Sequence, residues 1–544
     1  MKRKALFSLL ALGVAAAVAV VAYAGPPDGP ELTSVPTANT KAVGFAPASR
    51  LSAGLSQIVL AQGSTKLENP QGIVTNYGYE NDVSSPGDPS VPLMVPSGAS
   101  ATEAQKTEPD KNTYLELKGG QPGADPNYDY GTHFLYQGHE GAASVSGQKQ
   151  GYITRINLDA DSAHRVTLLA THDTNGQPLS TIDGSTWDPF AQRLLFTTES
   201  ASAPTYAATL GYPSTVEDVA GALGRGGYEG IQDDGDGNIW IVEDIGGSNK
   251  PGTVAKIPNS FIYRYVPATP GDLHHGKLQA LQVLNSGGSP ITQTSQTAVN
   301  ASDQVALHSY GSVFSTRWVT VHDTAVDGTA PFNANTAAKA KNATPFKRPE
   351  NGVFRPGTKF GEFYFTETGD TNATSVENST AGGWGSLFKL VQSSPSAATG
   401  KISVFFKCTQ AVSGLDNINF ISRNTLGSVE DAGDTLHTQR NALDSGYTFD
   451  VNTDYSQPNT EPVRWLAEGR DASATIDSAT GGFGKNDGDN EITGFLVSDG
   501  NPDIEGILGA KNPNLGDHKW RWFYTQQHGD NPAYEVLVDT RGND

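Results

Sequence analysis

The chain has 544 residues and a formal net charge of −21, with 58 Asp and Glu against 37 Lys and Arg. That carboxylate excess argues against a nucleic-acid binder, which needs clustered Lys and Arg to hold phosphates. Gly 61 and Pro 32 beside only 17% charged residues point to many short strands joined by turns, and a single cysteine, Cys408, excludes an internal disulfide framework and a multi-thiolate zinc site.

In chain order, Lys2, Arg3 and Lys4 precede an apolar run from Ala5 to about Ala24. Ala22-Tyr23-Ala24 has the small-x-small pattern of a signal-peptidase site, and Gly25-Pro26-Pro27 breaks any helix behind it. Residues 1–24 are therefore expected to be a signal peptide, with an uncleaved anchor as the alternative. The mature chain is expected to be secreted or periplasmic, free of the membrane, and in reach of calcium. Residues 25–70 read as an extended, Pro-rich approach, and 71–544 as a single domain. The stretch from about Leu284 to Thr344, rich in Ser, Thr, Ala and Asn, is expected to be an inserted surface loop.

Between these segments no long stretch keeps a 3.6-residue apolar period, whereas short β-rich runs recur. Their endings are alike. FLYQGHE closes on Glu140, LLFTTE on Glu199, IWIVED on Glu243 and Asp244, FYFTET carries Glu367, LGSVED closes on Glu430 and Asp431, and FYTQQH on Gln527 and His528. A polar position precedes most endings at similar spacing: Asp183 before Glu199, Glu229 before Glu243, Glu350 before Glu367, Asp416 with Asn417 before Glu430. The outer units fit more loosely, through Asp129 before Glu140 and Glu491 before Gln527. Six such units predict an all-β fold, a six-bladed β-propeller with long loop insertions. The innermost strand of each blade faces a central channel, so acids at corresponding positions converge there; the alternative is that each acid ends its strand in solvent.

Converging carboxylates repel one another unless cations lie between them. Calcium, with six to eight oxygen ligands, suits such a thiolate-free cage. Asp233-Asp234-Gly235-Asp236-Gly237-Asn238 lacks the acid that closes an EF-hand loop and reads as a hairpin turn, as does Lys485-Asn486-Asp487-Gly488-Asp489-Asn490. There is no G-x-S-x-G elbow and no H-E-x-x-H helix. His274 and His275 read as surface residues, while His139 and His528 sit at strand ends, to cap the strands, orient acids or ligate metal.

These same residues resemble the PhoX-type secreted alkaline phosphatases, a family of calcium-dependent six-bladed propellers. GGYEGI with Glu229, then GNIWIVED, FIYRYVP and DLHHGKLQALQV, follow in family order, and ATPFKRPENG resembles the motif R-P-E-D. LDNINF with LGSVED resembles P-D-N-L and the acid-ended strand after it; NEITG and FYTQQHGDN resemble the last blade, and FLYQGHE the first. The resemblance spans roughly residues 75 to 540. It implies hydrolysis of small-molecule phosphate monoesters, with Glu140, Glu199, Glu229 and Glu350 as metal ligands. It further implies that Arg348 and Glu350 act as a functional pair, Arg348 holding substrate phosphate while Asn417 assists. The implied ions are calcium and Fe3+. The family holds its iron partly through a Cys, in a segment that reads IDGSTWDPF here and has none; R-P-E-D has also become R-P-E-N. Cys408 in FFKCTQ is expected to be buried filler. The sequence therefore predicts a metal-dependent phosphoric-ester hydrolase. The alternatives are a calcium-stabilised propeller that binds a partner or polymer without catalysis, or another propeller hydrolase such as a lactonase.

Overall fold

A computed structural model describes residues 29–41, 47–63, 65–72, 74–78, 107–145, 148–292, 299–375, 380–469, 491–527 and 531–539. The leader, the Lys485–Asn490 stretch and His528 lie outside the described residues.

The β-rich runs form strands because Val, Ile, Phe, Tyr and Trp suit a pleated surface. They read as near-continuous apolar runs because they are covered on both faces. Ile239–Glu243 and Arg193–Thr198 are buried almost throughout. Four such strands make each antiparallel unit of the ring; one unit carries Arg50–Leu51 as a fifth strand, and two units are joined in a nine-stranded sheet. The innermost strands are Pro109–Glu116, Ile182–Asp188, Tyr228–Asp233, Pro349–Phe354, Leu415–Phe420 and Glu491–Ser498. Each touches the next in that order, and Glu491–Ser498 touches Pro109–Glu116, so the ring of described sheets closes on itself. Numbered in chain order, the sheets are blades 1 to 6 of a β-propeller. The core follows the same order: an apolar cluster lies between each pair of neighbouring blades, from Phe134, Ile182 and Phe196 between blades 1 and 2 to Leu135 and Phe523 between blades 6 and 1.

Two expectations about organisation are corrected. Residues 25–70 are not merely an approach. Leu55–Ala61 pairs with Ala533–Val538 as the outer strand of blade 6, and Arg50–Leu51 pairs with the edge of blade 5. Pairing an early strand with the last described one in a single sheet closes the ring. The 284–344 insertion is not simply surface loop either. Its strand Phe314–Asp323 pairs with Gly276–Leu284 of blade 3 and with Thr399–Lys407 of blade 4, fusing the two blades into one nine-stranded sheet. Short helices at Ser302–Leu307, Thr324–Asp327 and Ala334–Ala340 complete it. Among the described residues no helix is long and apolar enough to cross a membrane.

One end of the channel is covered. The connection inside blade 6 brings Ile507 and Leu508 against Tyr114, Trp187, Val353 and Leu496, and the Trp187 indole donates to the Pro502 carbonyl at 2.7 Å. The acids gather at the opposite end, where the inner strands begin.

Candidate metal centre

A repeated irregularity aims the acids. In blades 1 to 5 the first residue of the inner strand pairs with the neighbouring strand: Pro109 with His139, Ile182 with Thr198, Tyr228 with Glu243, Pro349 with Glu367, Leu415 with Glu430. The ladder then breaks, and two inner residues oppose one outer residue. Those pairs are Asp110-Lys111, Asp183-Gly184, Glu229-Gly230, Glu350-Asn351 and Asp416-Asn417. A bulge of this kind bends the strand and turns a side chain away from the pleat, so each blade delivers an acid to the channel. In blade 6 the break falls later, between Thr493 and Leu496, and Glu491 opens the strand.

Glycine at the second bulge position lets neighbouring blades approach. A Cβ on Gly184 would lie 1.9 Å from the Glu229 carbonyl oxygen, and one on Gly230 would lie 2.8 Å from the Asn351 Cα. Gly184→Ala is therefore expected to separate the backbones carrying Asp183 and Glu229. The expected loss is about 2–4 kcal/mol by reversible denaturant unfolding; a change under ~0.5 kcal/mol would show that the approach is not needed.

The second strands contribute by alternation, since successive residues point to opposite sides. The paired residue faces outward and the next faces the channel. Glu243 accepts from the Phe261 backbone N–H, the Tyr263 hydroxyl and the Asn335 amide; Glu367 meets His308 and the Lys347 backbone N–H; Glu430 meets Arg440 and the Ser413 backbone N–H. These three acids therefore do not join the channel group, and Glu140, Glu199 and Asp244 do. His139 likewise is turned away, its ring nitrogens placed on Thr107 and Thr154 and its ring stacked on Tyr152. Asp129 caps its own loop by accepting from the Gly131 backbone N–H. The first-blade partner of Glu140 is Asp110.

Three groups of carboxylate oxygens, each mutually within 4.8 Å, follow the arc: Asp110, Glu140 and Asp183; Asp183, Glu199 and Glu229; Glu229, Asp244 and Glu350. All four acids that the resemblance implies as ligands, Glu140, Glu199, Glu229 and Glu350, lie in these groups. Asp183 and Asp244 stood out in the sequence only as repeat positions, and Asp110 did not stand out at all. Burial first, then neighbouring carboxylates, pushes Glu140, Asp183, Glu229, Glu350, Asp416 and Glu491 well above the usual carboxylate range, and Asp110 up to about 7.

Neutral donors hold the carboxylates in place. Gln527 donates to Glu140 Oε1 at 2.6 Å and to Asp110 Oδ2 at 3.1 Å, Thr493 donates to Asp110, and Thr368 to Glu350. Arg348 reaches in from beside the group: its Nε donates to Asp244 Oδ2 at 2.7 Å, and its Nη2 lies 3.6 Å from Glu350 Oε1. Burial alone would lower the Arg348 pKa, but Asp244 and Glu350 carry it above its ordinary value. Asn417 lies outside the three groups, in blade 5. Its amide donates to Asp416 Oδ2 and Thr493 Oγ1, while its Oδ1 is buried without a hydrogen-bond partner.

These residues fit a hard cation. The donors are all oxygen, Asp244 Oδ1 is buried with no hydrogen-bond partner, and six to eight oxygens at flexible spacing suit calcium. The set does not supply a thiolate. Ile182–Asp188 is the inner strand of blade 2, and Cys408 is packed with Phe406, Leu415 and Phe449 between blades 4 and 5. The other sequence motifs are structural: Asp234 accepts from Asp236, Asn238 and Trp240 in the turn between the first two strands of blade 3, and His274 and His275 are exposed.

Fold and site together define an all-β propeller with a carboxylate-lined channel mouth. The family model described as alkaline phosphatase PhoX matches residues 255–499. The fold is similar to that of Pseudomonas fluorescens PhoX in complex with vanadate, a transition state analogue, with a TM-score of 0.55 and 12% identity over 93% of this chain and 98% of that one. Pseudomonas aeruginosa periplasmic gluconolactonase, PpgL, gives a TM-score of 0.31 at 12% identity over 89% of this chain and 99% of that one. Saccharomyces cerevisiae Sqt1 gives 0.29 at 7% identity over 79% and 99%. No curated protein matches. Residues 255–499 thus match the PhoX family model, and the fold of the whole chain is similar to that of a PhoX structure.

Proposed function

We propose that this chain is an extracytosolic, metal-dependent phosphoric-ester hydrolase acting on small phosphate monoesters. The observation that carries the reading is the convergence of three overlapping carboxylate groups with Arg348 at one end of the channel. Calcium held by Glu140, Glu199, Glu229 and Glu350, with Asp110, Asp183 and Asp244, would polarise phosphoryl oxygens and lower the pKa of a bound water. Arg348 presents a planar fork suited to two phosphate oxygens. Asp244 and Glu350 orient that fork before substrate arrives. Asn417 supports the far side through its amide and leaves Oδ1 free to accept. Without cations, the same carboxylates would repel an anionic substrate.

A second reading is a calcium-stabilised propeller without catalysis, favoured by the distance of the only thiol, Cys408, from the acids. One experiment separates the two: hydrolysis of a chromogenic phosphate monoester by the mature protein at alkaline pH, with calcium, with calcium plus iron, and after chelation. Turnover that needs calcium and is lost on chelation is the expected result. A folded, calcium-loaded sample that hydrolyses nothing under any of these conditions would overturn the hydrolase reading in favour of the second.

A further inference from the structure

The second bulge position carries Gly184, Gly230, Asn351 and Asn417 in blades 2 to 5, but Lys111 in blade 1. This lysine is only 4% exposed. Its Nζ crosses the channel to donate to Asn351 Oδ1 of blade 4 at 2.8 Å. The Asn351 amide in turn donates to Asp416 Oδ1 of blade 5 at 3.0 Å. Burial pulls the ammonium down to about 8, and four carboxylates, Asp110, Asp416, Asp183 and Glu229, oppose that shift. They come from blades 1, 5, 2 and 3, so the charge lies amid the ring. None of the three candidate metal groups among the described residues includes Asp416, the acid that Lys111 reaches through Asn351.

A buried ammonium is retained where opposite charges and hydrogen bonds compensate its lost hydration. A metal ion among the same carboxylates would do the same electrostatic work. We infer that Lys111 is a resident cation of the channel, standing in for one metal ion and confining metal uptake to the arc of blades 1 to 4. Lys111 is thus a positioning residue, and the inference rests on the reading that this arc binds cations. R-P-E-N in place of R-P-E-D belongs to the same arrangement, because an amide at 351 can accept from Lys111 and donate to Asp416 at once, as a carboxylate cannot.

The test is the number of calcium equivalents bound by the full mature chain after stripping, read by titration calorimetry and by elemental analysis after gel filtration. Lys111→Met is expected to bind one equivalent more than the parent, and Lys111→Arg, which keeps the charge, the same number as the parent. In chelator, Lys111→Met is expected to melt lower than Lys111→Arg, with calcium narrowing the difference. An unchanged calcium count in Lys111→Met overturns the inference. A parent chain that binds no calcium overturns instead the cation reading on which it rests. If Lys111→Met does not fold in calcium, Lys111→Gln, which can still donate to Asn351, is read in the same way, and an unchanged count is equally decisive.

Discussion

Replacing Arg348 by Ala is expected to lower kcat/KM for a phosphate monoester by about 10³-fold, within the range lost when an arginine on a transferring phosphoryl group is removed, while the fold is retained. The side chain is committed to one place. Arg348 has φ +52, in the left-handed region that residues other than glycine seldom occupy, directly before Pro349, and its Thr368-bonded carbonyl is set by blade 4. Two acids from different blades, Asp244 and Glu350, then fix the guanidinium. Arg348→Lys keeps a charge but loses the fork, and should recover only part of the rate. Glu350→Gln keeps the hydrogen bond from Thr368 as a neutral acceptor but removes a charge from the Glu229–Asp244–Glu350 group, so it should abolish turnover as well. Steady-state kinetics beside circular dichroism decides the matter. A folded Arg348→Ala protein that works at the parental rate would place the phosphate grip elsewhere.

The all-β propeller was legible because each blade repeats a buried strand followed by an acid, and a period in sequence survives as a period in space. The site was legible only in part. Sequence shows that acids recur, but facing is set by the ladder, and one residue of register decides it. Glu243, Glu367 and Glu430 lie at the strand position that pairs with the inner strand, so they face outward to Tyr263, His308 and Arg440. Asp244, one residue on, faces the channel. An E-D ending carries both possibilities, and no local pattern tells them apart. Asp110 was hidden by the long connection between Glu116 and His133, which made Asp129 the nearest acid at the expected spacing. Its own signal is the placement of an acid just inside an inner strand, as with Asp183, Glu229, Glu350 and Asp416. Ring closure by Leu55–Ala61 and the blade 3–4 bridge by Phe314–Asp323 are pairings between distant segments, which composition and local period do not report.

The metal-free protein is expected to be most stable in mild acid and to lose several kcal/mol as pH rises toward neutrality, and calcium is expected to remove that loss. The sign follows from proton counts. Burial and neighbouring carboxylates push the Asp110 carboxyl from 3.8 up to about 7 in the folded chain, and Glu140, Asp183, Glu229, Glu350, Asp416 and Glu491 are raised as well. Between those two pH values the folded chain binds more protons than the unfolded chain. Unfolding then releases protons and is favoured by raising the pH. The contribution is complete below about pH 4 and, for Asp110, is lost as pH rises through 7. At 1.36 kcal/mol for each pKa unit, upward shifts of this kind amount to several kcal/mol for the carboxylate set as a whole. Calcium acts in place of those protons, because it stabilises the carboxylates in their charged form and binds the folded chain alone, so its effect grows with free calcium. Melting of chelator-stripped protein between pH 5 and 8, repeated in excess calcium, gives both curves. The stripped protein should melt lower at pH 8 than at pH 5, and the calcium-loaded protein should hold its melting temperature across the range. Parallel curves would mean that the carboxylates are balanced within the chain itself and that the channel has no need of a cation.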